Sequence, residues 1–316
     1  VFGKKEDNIM QKWKKLGLIF KPDTNLGWSK THCQMPVPFK LKGHDCIYRV
    51  IYAARNLSQK PSVGYFDIDL EKIHVIDIGM SPSLTPSQDQ GFFDRDGVFI
   101  SSIYTDSDDF RGYYVGRVNG EYNSFFVNIG LAISHNEGAL FSKFSTAPIM
   151  QRSQYDPWCV GSCFVLKENE LWRMWYSSGT SLSINNGILS SVYDIKYAES
   201  EDGIEWKREG LISIAHFHPG ETNIARPWIL KEDGIYKAWF SYNCGKQGYR
   251  IGYAESRDGG YTFERMDHLA GITVSNEPWE SEAVAYPAVI VHKGKKYMFY
   301  NGNRFGKDGI ALAIQE

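Results

Sequence analysis

The chain repeats itself, and that repeat constrains its fold more than any other feature of its 316 residues. The stretch Tyr197–Trp206 (YAESEDGIEW) recurs as Tyr253–Phe263 (YAESRDGGYTF), with a weaker copy at Gly130–Gly138 (GLAISHNEG). Each copy runs from an apolar stretch into Asp-Gly or Glu-Gly, residues that tolerate the positive φ of a tight hairpin turn. A second motif precedes each copy. Its clear versions are Phe164–Tyr176 (FVLKENELWRMWY), Trp228–Phe240 (WILKEDGIYKAWF) and Ala288–Tyr300 (AVIVHKGKKYMFY). Phe39–Tyr52 is another good copy, and Val98–Tyr104 followed by Gly112–Val115 a degenerate one. Gly234 and Gly294 are 60 residues apart, and Trp172 and Tyr236 are 64 apart, so the chain holds about five units. Each unit reads strand, turn, strand, loop, strand, turn, strand. Four-stranded antiparallel units repeated radially are propeller blades, so an all-β, five-bladed β-propeller is expected.

The ends of the chain fit one ring. The fifth unit stops at Ile310–Ile314 without a fourth strand, while Trp13–Ile19 (WKKLGLI) parallels the fourth strand Trp206–Ile212 (WKREGLI). An N-terminal strand completing the last blade would remove an exposed edge. The reading is a single domain over 10–316, with 1–9 as a tail or cloning remnant. An aromatic content of 15% suits β structure, and no apolar run approaches the roughly 20 residues of a membrane span. A net charge of 35 − 37 = −2 offers no broad basic surface for a nucleic-acid backbone. Five cysteines without framework or zinc spacing read as reduced thiols of a cytoplasmic protein. Neither a cofactor nor a metal is called for.

The topology sorts the loops by face. Short hairpins fall on one face, where Asp202, Asp233 and Asp258 are turn residues. The longer, more polar connections between second and third strands, and the entries to each unit, share the other face. From there His32, Arg55, Asp94, Asp96, Asp156, Glu221, Arg226, Glu280, Glu282, Tyr286 and Arg304 are expected to converge on the axis. Aligning the units on their turn glycines makes Asp156 equivalent to Glu280, and Arg226 to Tyr286. Two carboxylates across a small cavity are what glycoside hydrolysis uses, one as acid and one as base or nucleophile. Asp94, Asp156, Glu280 and Glu282 are thus the catalytic candidates, weighed against rim ion pairs. The basic groups His32, Arg55, Arg226 and Arg304, with Tyr286, suit an anionic sugar or sugar phosphate.

The proline at the entry of three first strands (Pro36, Pro227, Pro287) and the Tyr-Ala-Glu-Ser-x-Asp-Gly hairpins resemble the five-bladed glycosidase superfamily. That group holds glycoside hydrolase family 43, the invertases and the β-mannoside phosphorylases; propellers of bacterial surface-polysaccharide loci are similar too. The resemblance spans Met10 to Glu316 and implies a carbohydrate-active protein. It also exposes departures. Met35 stands where an Asp precedes the first proline in arabinanase-type enzymes, and the Cys159–Cys163 run stands where a Glu is expected. The standard acid triad is out of register. Either the acids moved to neighbouring loops, giving a hydrolase, phosphorylase or transferase of bacterial polysaccharide metabolism, or the site binds a glycan or nucleotide sugar without catalysis.

Overall fold

A computed structural model describes residues 11–106, 109–121, 124–185, 188–244 and 247–316. The expected tail over 1–9 lies outside the described residues, as do 186–187 and 245–246 of two loops expected on the functional face. The chain is nearly all β. Strand β1 (Trp13–Phe20) comes first and is followed by four strands of one sheet, β2 (Thr31–Lys40), β3 (Ile47–Arg55), β4 (Pro61–Asp69) and β5 (His74–Ile78). The next sheet holds β6 (Gly97–Asp106), β7 (Asp109–Asn119), β8 (Phe125–Ser134) and β9 (Ser142–Lys143). Then come β10 (Cys159–Glu168), β11 (Leu171–Asn185), β12 (Ile188–Ser200) and β13 (Ile212–Ile214). They lead into β14 (Glu221–Glu232), β15 (Ile235–Cys244), β16 (Arg250–Ser256) and β17 (Glu264–Arg265), joined to the preceding group by one parallel bridge, Tyr193 to Asn223. The last sheet is β18 (Ala285–His292), β19 (Lys295–Asn301) and β20 (Ile310–Gln315), with β1 as its outer strand. Trp13 pairs with Gln315 and Phe20 with Ile310, as the copied WKKLGLI stretch predicts.

Hairpin chemistry explains the turns. Asp202 Oδ1 accepts from the amides of Ile204 and Glu205, and Asp258 Oδ1 accepts from those of Tyr261 and Thr262. Asp233 (φ 52°) and Gly234 (φ 79°) both take the left-handed backbone that a two-residue hairpin needs. All three aspartates are turn residues, as expected. Large aromatics fill the spaces between sheets: Tyr52, Tyr113, Trp175, Trp239 and Phe299 are completely buried. The first strands of the five groups touch in cyclic order, β2 with β6, β6 with β10, β10 with β14, β14 with β18 and β18 with β2.

Each of those first strands breaks register against its neighbour, between Gln34 and Val37, Ile100 and Ser102, Val160 and Cys163, Ala225 and Trp228, and Ala285 and Ala288. Such bulges bend a strand and re-aim its side chains. In three groups the bulge carries a non-glycine residue with positive φ just before a proline: Met35 (55°), Arg226 (57°) and Tyr286 (56°). Proline disfavours the right-handed helical region for its predecessor, and the left-handed alternative costs an L-residue about 1–3 kcal/mol. Strain repeated at the same point of three groups marks the centre of the molecule as the place to look for function.

Candidate functional site: a cavity with arginines and no acid

A cavity of about 520 Å³ opens where the bulged first strands meet. One side is apolar, formed by Met35, Phe99, Val115, Phe125 and Val127, mostly from β6, β7 and β8. The rest is polar, with Ser162, Ser177, Ser191, Asn223 and Asn243 from β10 to β15. Tyr193, Tyr249 and Tyr286 add phenol hydroxyls, and Phe305 stacks on the Tyr286 ring at 6.2 Å. Arg55, at the end of β3, and Arg117, on β7, complete the charged part of the lining. Among the described residues no Asp or Glu lines this cavity.

The two guanidiniums are close enough to destabilise each other. Burial and the neighbouring Arg117 depress the pKa of Arg55, with Tyr286 opposing; burial also depresses Arg117, against the attraction of Asp96. Arg55 Nε donates to Gln34 Oε1 at 3.0 Å, and Arg117 lies over the Phe125 ring, 5.1 Å from its centroid. Arg117 Nε is buried without a hydrogen-bond partner. Among the described residues neither arginine forms an ion pair. Arg117 was missed in the sequence because it lies near the end of β7, just beyond the degenerate copy of the repeat that stops at Val115.

Arg226 does not contact this cavity, contrary to the expectation that it is a main ligand contact. It is completely buried, and its guanidinium donates to the carbonyls of Ser101 and of Pro36, the latter at 2.9 Å. It therefore ties β14 to β2 and β6 across the centre. Its Nε has no partner, its guanidinium lies 5.2 Å from the Trp228 ring centroid, and burial pulls its pKa down to about 10. Glu221, expected nearby, instead binds Arg265 through both oxygens at 2.7 and 2.8 Å. Ala225, the residue before Arg226 on β14, and Tyr286 on β18 do line the cavity.

The acids have a different job from the one expected. Asp156 is fully buried within its own sheet, where it accepts from Ser178 at 2.6 Å, Tyr176 at 3.1 Å and Ser153 at 2.8 Å and pairs with Arg208 at 3.0 Å. Glu280 does the same two units on: it accepts from Tyr300 at 2.9 Å and pairs with Lys15 at 2.8 Å. Asp94 repeats the pattern with Tyr114 at 3.3 Å and Lys143 at 2.5 Å. A buried carboxylate at the entry to a unit thus meets a tyrosine of the second strand and a cation at the outer strand. These three acids fix entry loops to sheets and do not line the cavity, so they do not form the converging carboxylate pair that was expected. In every case burial drives the tyrosine's pKa far up, with the carboxylate's charge adding to it.

Glu282 and Arg304 lie elsewhere again. They line an adjoining pocket of about 460 Å³ that shares Tyr249 and Phe305 with the central cavity. His32 is buried outside both, and burial, with Arg55 and Lys307 nearby, lowers its pKa to about 4. It is held neutral by the same local excess of positive charge that the arginines feel. The entry tryptophans pack rather than present a stacking face: Trp158 donates to the Phe125 carbonyl, Trp228 to that of Val289 and Trp28 to that of Met80, while Trp279 packs on Tyr300. Among the described residues no group of three or more His, Cys, Asp or Glu is placed to hold a metal. The five cysteines are unpaired thiols, and no helix among the described residues is long and apolar enough to cross a membrane.

The fold is nearly all β and similar to that of solved glycoside hydrolases, which bears out the resemblance read from the sequence. A solved structure titled "Glycoside hydrolase" matches with a TM-score of 0.75 and 17% identity, covering 97% of this chain and 92% of that one. A structure from the GH130 family of mannoside phosphorylases, whose hydrolases are described as targeting β-1,2 mannosidic linkages in Candida mannan, matches with a TM-score of 0.69 and 15% identity over 99% and 95%. A thermostable family-43 glycoside hydrolase matches with a TM-score of 0.64 and 16% identity over 90% and 89%. By sequence, the chain belongs to the family of "Uncharacterized protein Rv1502" of Mycobacterium tuberculosis (strain ATCC 25618 / H37Rv), to which it is 33% identical over 305 residues, 96% of this chain and 99% of the relative. The counterpart in strain CDC 1551 / Oshkosh, "Uncharacterized protein MT1551", is equally similar. No protein-family model matches the chain.

Proposed function

We propose that this protein is a carbohydrate-active five-bladed propeller, closed by β1, whose central cavity binds an anionic saccharide in bacterial polysaccharide metabolism. One observation carries the reading: Arg55 and Arg117 converge on a cavity whose described lining contains no carboxylate. Two unpaired guanidiniums repel each other, and an anion between them removes that cost while gaining charge-assisted, bidentate hydrogen bonds. Serine, asparagine and tyrosine groups in the lining suit sugar hydroxyls, and 520 Å³ falls within the range of small-molecule sites. Hydrolysis by a pair of carboxylates does not fit, because Asp94, Asp156 and Glu280 are engaged inside their sheets. The test is titration calorimetry with glucose, glucuronate and glucose 1-phosphate. The anionic sugars should bind and glucose should not, and Arg117→Gln should weaken binding by about 2–5 kcal/mol. Equal binding of glucose would sink the proposal.

A second reading rests on Glu282 in the adjoining pocket. Phosphorolysis needs one carboxyl group and a bound phosphate. A phosphate oxygen held by Arg55 and Arg117 would attack the anomeric carbon, the glycosidic C–O bond would break, and Glu282 would protonate the departing oxygen. Release of a sugar 1-phosphate from an oligosaccharide plus phosphate, lost in Glu282→Gln, would select it over simple binding.

A further inference from the structure

The cavity is divided in a way that an anionic monosaccharide does not explain. Both arginines belong to the first two sheets, and so does the whole apolar wall. Val115 and Arg117 are two residues apart on β7, so they face the same side of their strand, and Phe125 on β8 lies beneath the Arg117 guanidinium. The hydroxyl and amide groups are on β10 to β15, and the two regions adjoin at Gly161, which has Val127 on one side and Ser177 on the other. A single pyranose ring would fill only part of 520 Å³, and its hydroxyls would have no partners along Phe99, Val115 and Val127. Leaving those hydroxyls unpaired against an apolar wall is costly. The wall therefore suits a part of the ligand that has few hydroxyls, next to the arginines.

Charge points the same way. Arg55 and Arg117 both line the cavity, and among the described residues no carboxylate does. A phosphate group, with more acceptor oxygens than a carboxylate, can accept from both guanidiniums at once.

Resting on the anionic-saccharide reading, we infer that the ligand is a sugar phosphodiester or diphosphodiester: sugar on the serine and asparagine wall, phosphate between Arg55 and Arg117, and an apolar or aromatic aglycone against Phe99, Val115 and Val127. A nucleoside diphosphate sugar and an aryl or short-alkyl phosphate of a sugar both have this chemistry, and the experiment separates them.

Titration calorimetry on the full chain would compare uridine diphosphate glucose, phenyl glucosyl phosphate, glucose 1-phosphate and glucuronate. At least one diester should bind about tenfold or more tightly than glucose 1-phosphate, as burial of an apolar group of modest size predicts. Preference for the uridine compound assigns a nucleotide sugar, and preference for the phenyl compound assigns an aryl- or lipid-type phosphate. Val127→Thr, which keeps the side-chain shape, and Phe99→Leu should each narrow the ratio of diester to glucose 1-phosphate affinity. Melting curves would show that both variants remain folded. Equal binding of glucose 1-phosphate and both diesters overturns this inference and leaves the anionic-saccharide reading standing, as does tighter binding of glucuronate than of any phosphate. Failure of all four ligands overturns both.

Discussion

Replacing Asp156 separates a structural acid from a catalytic one. The carboxylate is fully buried, accepts three hydroxyl hydrogen bonds and pairs with Arg208 at 3.0 Å, with Lys196 Nζ 3.9 Å from it. Asp156→Ala would leave Arg208 without its partner and Lys196 with Asp194 alone, and breaking a buried pair in this way costs about 3–5 kcal/mol. Unfolding entropy is about 2.1 cal/mol/K per residue, which gives roughly 660 cal/mol/K for 316 residues. A loss of about 4 kcal/mol therefore lowers Tm by about 6 °C. Asp156→Asn keeps the shape and one of the two acceptor oxygens but loses the charge, so it should fall between wild type and Ala. Thermal denaturation followed by circular dichroism measures the shift, and calorimetry with glucose 1-phosphate measures the site. Both variants should bind the ligand normally well below their Tm. An Asp156→Asn protein with unchanged Tm and abolished binding or turnover would refute the structural assignment.

Three other outcomes follow from the same interactions. His32 is held at a pKa of about 4 by burial and by Arg55 and Lys307, below the 6.5 of an unfolded histidine. Its neutral form therefore contributes stability that is fully present above pH 6.5 and is lost as pH falls toward 4, on the order of 3 kcal/mol, and His32→Asn should flatten denaturant-melt stability across that window. Removing 11–20 takes away β1, the Lys15 partner of Glu280 and the cover of the β20 edge; Tm should drop sharply, with concentration-dependent association in sedimentation velocity. Arg226→Met should destabilise by about 3 kcal/mol or more, because the Ser101 and Pro36 carbonyls lose their donors, and a fully stable variant would show that the buried guanidinium is not the tie across the centre.

Much of the repeat carried directly into three dimensions. The turn glycines marked the hairpins, and the likeness of Trp13–Ile19 to Trp206–Ile212 placed β1 beside β20. The same alignment paired residues whose roles stayed hidden. It made Asp156 equivalent to Glu280 and, by the same copied stretch, Lys15 equivalent to Arg208. In the folded protein each acid meets the equivalent cation, Arg208 for Asp156 and Lys15 for Glu280. The acids looked catalytic because loop position says which end of a sheet a residue occupies and nothing about whether its side chain turns toward the axis or back into the sheet.

Local pattern is written by period and turn chemistry, which act between neighbours along the chain, so the sequence alone determined the β class, the hairpins and the outer position of β1. Direction at the centre depends on bulges and on the left-handed backbone at Met35, Arg226 and Tyr286, each imposed by packing against strands from other units. Only the tertiary structure therefore decided that Arg226 is a buried tie, that Arg117 reaches the cavity, and that the acids stay out of it. The physical reason is that a one-residue slip at a bulge reverses which face of a strand a side chain occupies, and long-range packing sets where that slip falls.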